Sequence, residues 1–240
     1  MEFENIKNIS VTDESSWKDK VFLTFDLDWA IDEVIEYTLK IVEDAGIKAT
    51  FFCTHKTDIL NRIRKNLKIE LGIHPDFNPL LLGQGRALRD MREVIKHYKS
   101  IIPEAVSVRS HSLTYNSVLL NMLGESGLKY ECSVFIPFDS GIKLKPWIHV
   151  NKTLTMSPHF WEDNTYFSCG LSKKAGVYLR GNGLKIFDFH PIHIFLNTES
   201  KERYNECKKY SSDFKKLSAF RNFKQYGTRD FLTKLIRMVK

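Results

Sequence analysis

The stretch 21-VFLTFDLDWA-30 places two aspartates, Asp26 and Asp28, at the end of an apolar run. The five residues before Asp26 predict a buried strand, and a buried carboxylate is costly unless it is paired or binds a cation. Alternate residues of an extended strand point to the same side, so we expect both carboxylates on one face. Two carboxylates this close predict a metal site or a neutralising arginine, and helix N-capping by aspartate is the simpler alternative.

The composition is that of an ordinary soluble domain. The chain has 240 residues, 42% of them hydrophobic and 27% charged, which is enough for one domain with a full core. No apolar run reaches the roughly 18–20 residues that a bilayer requires, and the first residues do not resemble a signal peptide, so we predict a cytoplasmic protein without an integral membrane segment. Four cysteines without a CxxC pair are expected to be reduced thiols: Cys53, Cys132, Cys169 and Cys207.

Much of the net charge of +7 lies near the C-terminus. The apolar spacing over residues 230–239 predicts a packed helix with a basic, solvated outer face. Nucleic-acid binding is the alternative, but no recognised nucleic-acid motif accompanies the basic residues. We therefore expect a single domain over residues 1–240, with 199–240 as a basic helical segment packed on it, and no nucleic-acid partner.

Strand and helix patterns alternate along the chain, which predicts an α/β fold with a parallel sheet or barrel. Strand-like runs occupy residues 21–25, 48–54, 68–73, 105–110, 128–135 and 185–195. Helical patterns occupy residues 31–45, 57–66, 86–102 and 116–124. Gly46 is placed to end the first helix, and Asn116 is placed to cap the last of these.

Polar side chains that bind metals or transfer protons follow five of these strands. Active sites of α/β folds gather at the C-terminal ends of parallel strands, so we expect these side chains to share one rim. The set comprises Asp26, Asp28, His55, His74, Asp76, Asn78, Arg109, His111, Asp188, His190 and His193. Beside the two aspartates, His74 is a candidate ligand for a divalent ion such as zinc, and Arg109 is a candidate partner for a carboxylate.

The order of these motifs resembles that of the polysaccharide deacetylases, the NodB-homology or carbohydrate esterase family 4 proteins, over residues 21–195. TFDLDWA resembles the first family motif with a spacer between its two acids, and ATFF at 49–52 also resembles the family. GIHPDFN, VRSHS and FDFHPIH correspond to the second, third and last motifs. The resemblance implies a distorted seven-stranded (β/α) barrel and a carbohydrate deacetylase that uses a divalent metal ion, with zinc the expected metal.

The resemblance also implies the roles of the catalytic residues. Asp26 corresponds to the general base, Arg109 to the residue that orients and charges it, and His190 to the general acid. The loop SPHFWED at 157–163 stands in for the fourth motif. There Trp161 would form a groove wall and Asp163 would support the acid histidine.

The metal ligands are where the chain departs from the family pattern. Asp28 and His74 match family ligands, but the second motif normally has two histidines four residues apart, and its second position here is Asn78. An amide oxygen is a poor zinc ligand. Either Asn78 binds weakly, or His111 on the neighbouring strand completes the site, with His55 and His193 as further alternatives.

Substrate contacts are expected from aromatic and polar side chains around this rim. Sugar stacking is predicted for Trp29, Phe77, Trp147 and Trp161. Polar contacts with the substrate are predicted for His55, Asn78, Asp163 and His193. The implied substrate is an N-acetylated sugar, a glycan or a sugar-linked carrier used in surface-polysaccharide assembly.

Other functions remain open from the sequence. The missing histidine is compatible with a glycan-binding relative that has lost its catalytic metal. A haloacid-dehalogenase-type phosphatase also begins with a strand and DxD, but Trp29 and Ala30 depart from what that family has after its second aspartate. A small cyclic amide or imide is a further substrate class.

Overall fold

The computed structural model describes residues 1–84, 88–168, 174–181 and 183–240. The strands are β1 (Glu2–Phe3), β2 (Lys20–Asp26), β3 (Ala49–Cys53), β4 (Ile69–Ile73), β5 (Ser107–Val108), β6 (Tyr130–Glu131), β7 (Trp147–Ile148), β8 (Thr155–Met156), β9 (Trp161–Glu162) and β10 (Ile186–Phe189). The helices are α1 (Asp32–Ala45), α2 (Ile59–Lys65), α3 (Asn78–Leu81), α4 (Met91–Ile101), α5 (Ser117–Glu125), α6 (Asp163–Ser168), α7 (Ala175–Tyr178), α8 (Pro191–Leu196), α9 (Lys201–Cys207), α10 (Phe214–Ser218) and α11 (Thr228–Val239).

The strands form a curled sheet in the order β7-β8-β6-β5-β4-β3-β2-β10-β9, and β1 pairs with the start of β2. Neighbouring strands in this order are parallel except β7 and β8, which are antiparallel. The predicted α/β fold with a barrel-like parallel sheet is confirmed. The described residues form ten strands rather than the expected seven, and six of the ten are short segments of only two residues.

Local signals set the ends of several helices as predicted. Gly46 ends α1 with a φ of 61°, a left-handed conformation that glycine adopts without steric cost. The Asn116 side chain caps α5 by accepting a hydrogen bond from the Leu119 N–H. Helix α4 begins later than predicted, because Asp90 caps it by accepting from the N–H groups of Arg92 and Glu93. The first residues of its predicted span lie outside the described residues.

The run KIFDFHPIHIF is only half strand, so its prediction as a continuous strand is wrong. Strand β10 ends at Phe189, His190 takes the N-cap position, and Pro191 begins α8. Proline at the first helical position loses no hydrogen bond and has its φ already fixed for a helix. His190 is therefore at a strand end, whereas His193 is inside a helix.

Helix α11 confirms the helical pattern predicted over residues 230–239. Its apolar side buries Phe231, Leu232 and Leu235. Cys53, Cys132 and Cys207 are free and buried, as predicted, and Cys169 lies outside the described residues. Among the described helices, none combines the length and the apolar character needed to cross a bilayer.

Candidate active site

The chain turns sharply where β2 ends, and this turn separates the two aspartates. Asp28 and Trp29 have φ values of 43° and 55°, so the prediction that an extended strand runs through Asp28 is wrong. The Trp29 N–H donates to Thr54 Oγ1 at 3.0 Å, which anchors the turn to the end of β3. Asp26 stays buried at 2% exposure, and the turn presents Asp28 at the mouth of the same cavity.

Asp28, His74 and His111 bring three possible ligand atoms together. Asp28 Oδ1 lies 3.1 Å from His74 Nε2 and 3.1 Å from His111 Nδ1, and the two ring nitrogens are 3.3 Å apart. Ligands about 2.0–2.1 Å from a tetrahedral zinc ion are themselves roughly 3.3 Å apart. One carboxylate and two imidazoles at this spacing therefore fit a zinc ion that keeps a position open to the cavity.

Hydrogen bonds and nearby charges set the tautomer of His74 and shift the pKa values of Asp28 and His111. His74 Nδ1 lies 2.7 Å from the Arg109 carbonyl oxygen, which can only accept, so the lone pair of the ring is on Nε2. Burial would raise the pKa of Asp28, but His190, His111 and His74 outweigh it and hold this pKa well below its usual range. Burial lowers the pKa of His111, and the Asp28 carboxylate reverses this effect and raises it.

Arg109 is fully buried and lies between two carboxylates. Its Nη1 donates to Asp26 Oδ1 at 2.9 Å and to Asp188 Oδ1 at 2.5 Å, and its Nε donates to the Cys132 carbonyl at 3.1 Å. Burial lowers the pKa of Arg109, but the charges of Asp188 and Asp26 outweigh burial and raise this pKa above its ordinary value. The guanidinium therefore keeps its charge. Burial raises the pKa of Asp188 well above its ordinary value. The contact that was predicted between Arg109 and a carboxylate is therefore present.

His190 and Asp163 form a second buried pair on the other side of the cavity. His190 Nδ1 lies 2.6 Å from Asp163 Oδ1, and the His190 backbone N–H donates to Asp163 Oδ2 at 2.7 Å. A carboxylate that bonds Nδ1–H leaves Nε2 directed away from it, and this atom lies 3.5 Å from Asp28 Oδ2. Burial lowers the pKa of His190, but Asp163 and Asp28 outweigh burial and raise it well above its ordinary value.

Four residues with predicted polar contacts to the substrate lie outside the cavity lining: Asn78, His55, His193 and Asp163, which holds His190. The Asn78 amide donates to Ser112 Oγ at 3.0 Å, and His55 Nδ1 is 2.9 Å from Thr54 Oγ1. His193 is 1% exposed, with Nε2 2.8 Å from Asn164 Oδ1, and burial lowers its pKa to about 4. These side chains are not among the residues that line the cavity, and their predicted roles in binding metal or substrate stay predictions.

The aromatic residues divide into exposed and buried. Trp161 is fully buried and stacks on Phe231 with ring centroids 4.5 Å apart, so its prediction as a groove wall is wrong. Phe77 is also fully buried, whereas Trp147 is 38% exposed on the edge strand β7. Trp29 is 45% exposed and meets the His111 ring edge-on at 5.0 Å, which leaves it at the mouth of the cavity.

The cavity between these groups has a volume of about 120 Å³. It is lined by Asp26, Asp28, His74, Ser110, His111, Ser112, Leu113, Glu162, Asn164, Asp188 and His190. Glu162 and Asn164 were not predicted as site residues, and Asp188 was predicted only as a polar residue at a strand end. The sequence did hold signals for these three residues, because Glu162 and Asn164 flank Asp163, and Asp188 lies two residues before His190.

Comparisons with known proteins agree with this architecture. A profile of the WbmS-like polysaccharide deacetylase family matches residues 23–208. The chain is 38% identical, with a TM-score of 0.94, to a Bordetella bronchiseptica protein described as a polysaccharide deacetylase involved in O-antigen biosynthesis. That similarity covers 100% of this chain and 98% of the other. A comparison with curated proteins found no match.

Two more distant structures are also similar. A family 4 carbohydrate esterase from Streptomyces lividans is 16% identical, with a TM-score of 0.45, over 71% of this chain and 78% of the other. A polysaccharide deacetylase described from Mycobacterium smegmatis is 15% identical, with a TM-score of 0.47, over 77% of this chain and 80% of the other. The family profile spans most of the chain, and therefore the chain belongs to the WbmS-like polysaccharide deacetylase family.

Proposed function

We propose that this protein is a metal-dependent hydrolase that removes the N-acetyl group from an amino sugar or glycan intermediate of surface-polysaccharide biosynthesis. The main support is that Asp28, His74 and His111 face the same small cavity as Asp26 and His190. A candidate metal site, a candidate base and a candidate acid thus meet around one space. A cavity of about 120 Å³ suits an acetamido group and a water molecule.

Asp28 Oδ1, His74 Nε2 and His111 Nδ1 are the proposed ligands of a divalent ion, and zinc suits this donor set. When bound, the ion would supply polarisation of the acetyl carbonyl and acidification of the attacking water. Asn78 is left out of the proposed set because its amide is engaged with Ser112.

Asp26 accepts the proton of the attacking water in this proposal. The Arg109 contact at 2.9 Å orients the Asp26 carboxylate. The oxygen of the attacking water forms a bond to the acetyl carbonyl carbon as the proton of that water moves to Asp26.

His190 donates its Nε2 proton to the nitrogen of the breaking C–N bond. Asp163 holds the ring through Nδ1 and through the His190 backbone N–H, and so aims Nε2 at the cavity. The products are acetate and a free amino sugar. Trp29, exposed at the mouth of the cavity, is the proposed surface for sugar stacking.

The direct test is acetate release. Protein loaded with zinc is incubated with N-acetylglucosamine, chitobiose and UDP-N-acetylglucosamine, and acetate is measured enzymatically. We expect release from at least one of them, and a loss of about 10²–10⁴-fold in Asp26→Asn. Equal release by wild type and Asp26→Asn would contradict the proposal. Sugar binding without zinc uptake or acetate would favour a glycan-binding protein, and hydrolysis of 4-nitrophenyl phosphate would favour a phosphatase.

A further inference from the structure

Glu162 faces the catalytic cavity, but the steps above give it no role. In the register of β9 and β10 its Cα pairs with that of Asp188, so the two side chains point to the same face of the sheet. Asp188 reaches Arg109 on that face. Glu162 lines the cavity on the side of His190, with its side chain 15% exposed.

The Glu162 side chain is a carboxylate at neutral pH. Burial raises its pKa, but His159 and His190 outweigh burial and lower it to about 2. A largely buried, ionised carboxylate facing a small cavity needs a donor or a cation from outside the chain, unless a neighbouring group satisfies it.

His159 lies behind Glu162 and is also unusual. It is fully buried, and neither of its ring nitrogens has a hydrogen-bond partner among the described residues. Its Nε2 is 3.9 Å from Glu162 Oε2, which is too long for a direct hydrogen bond. Burial and the Arg109 charge lower the pKa of His159, so its ring is neutral at neutral pH. At 3.9 Å His159 does not use up the acceptor capacity of Glu162 that faces the cavity.

The position of Glu162 limits what it can contact. The proposed metal ligands come from the turn after β2 and from the segments after β4 and β5, whereas Glu162 and His190 lie at the ends of β9 and β10. A nitrogen that receives a proton from His190 must lie within hydrogen-bond reach of that ring. Glu162 is thus on the leaving-group side of the cavity.

We propose that Glu162 recognises the leaving nitrogen, an inference that rests on the deacetylase function proposed above. Its carboxylate accepts a hydrogen bond from the amide N–H of the substrate, and then from the ammonium of the free amino sugar. A hydrogen bond between two charged partners is stronger than one with a neutral donor, so the contact strengthens as His190 protonates the nitrogen. Glu162 therefore favours amides of amino sugars over esters of sugar hydroxyls.

The test compares Glu162→Gln with wild type in two kinds of measurement. Glutamine keeps the shape and an acceptor oxygen but removes the charge. We expect kcat on the N-acetylated sugar to fall about 10–100-fold and hydrolysis of 4-nitrophenyl acetate to change less than about threefold. Binding of glucosamine, measured by calorimetry, should weaken about 10–100-fold, while binding of acetate stays within about threefold.

Glu125→Gln is the matched control, because Glu125 is paired with Arg92 on the exposed side of α5. It should equal wild type in every measurement. Equal losses on the amide and the ester, or unchanged glucosamine binding in Glu162→Gln, would overturn the role of Glu162. If wild type released no acetate from any amide, the proposed function would fail, and the glucosamine measurement would still decide whether Glu162 binds an amino sugar.

Discussion

Two walls of the cavity are built in different ways. The metal wall, formed by Asp28, His74 and His111, brings three ligand atoms within 3.3 Å of one another at an edge that is partly open to solvent. The acid wall, formed by Asp163, Glu162 and His190, is more deeply buried, and two hydrogen bonds within the chain already join His190 to Asp163. The first wall is arranged around a space, whereas in the second the His190–Asp163 pair is already bonded within the chain and only Glu162 keeps acceptor capacity for the cavity.

This difference indicates how each wall depends on a bound ion. Three electron-donating atoms at such distances favour a cation between them, because the spacing is that of ligands around one zinc ion. In the acid wall, Asp163 balances the charge of His190 without a bound ion. Loss of the metal should therefore abolish catalysis while the acid wall keeps its arrangement.

The largest expected effect comes from breaking the metal wall. His74→Ala removes the ligand whose ring is oriented by the Arg109 carbonyl, and both the Lewis acid and the activated water are lost with it. We expect acetate release to fall by at least about 10⁴-fold, together with loss of bound zinc measured by plasma emission spectroscopy. His97→Ala, which removes an exposed histidine from α4, is the control and should keep full activity and zinc. Normal zinc content in His74→Ala would contradict the assignment of the metal wall.

Asp26→Asn separates chemistry from metal binding, because Asp26 lies between the two walls. Asparagine can still accept a hydrogen bond from Arg109 but is a far weaker base. We expect a loss of about 10²–10⁴-fold in kcat with zinc content and substrate binding unchanged. Loss of zinc from this variant would show that Asp26 is a ligand, and the proposed division of roles would then be wrong.

Asp163→Asn tests the acid wall alone. An amide cannot hold the positive charge of His190 as the carboxylate does, so proton donation to the leaving nitrogen weakens. We expect kcat for the amide to fall about 10²-fold, with zinc content retained. The control is Asp44→Asn on the exposed side of α1, where Asp44 pairs with Lys40. Activity equal to that of the control would mean that the pair is purely structural.

The parts of the fold that could be predicted depend on short-range signals. The apolar runs of β2 and β3, the glycine after α1 and the Asn116 cap of α5 act within a few residues, and each was predicted correctly. The side chains of the cavity could be predicted where they follow such strands directly.

The remaining features depend on contacts between distant segments. The burial of Trp161 follows from the docking of α11, whose Phe231 covers its ring. The place of Glu162 depends on the register of β9 against β10. The turn after β2 has left-handed backbone angles at two consecutive residues that are not glycine, Asp28 and the bulky Trp29. None of these could be read from spacing alone.

The sequence left several alternatives for the third metal ligand, and the prediction that distinguishes His111 from Asn78 has the smallest expected effect. His111 Nδ1 lies 3.1 Å from Asp28 Oδ1, whereas the Asn78 amide is bonded to Ser112. His111→Ala should weaken zinc affinity about 10–100-fold or more, measured by competition with a chromophoric chelator, because two protein ligands hold zinc poorly. Asn78→Ala should change affinity less than about threefold, since it removes only a contact to a neighbouring hydroxyl. The reverse order of effects would return the ligand role to Asn78 and would require α3 to move towards Asp28 when the ion binds.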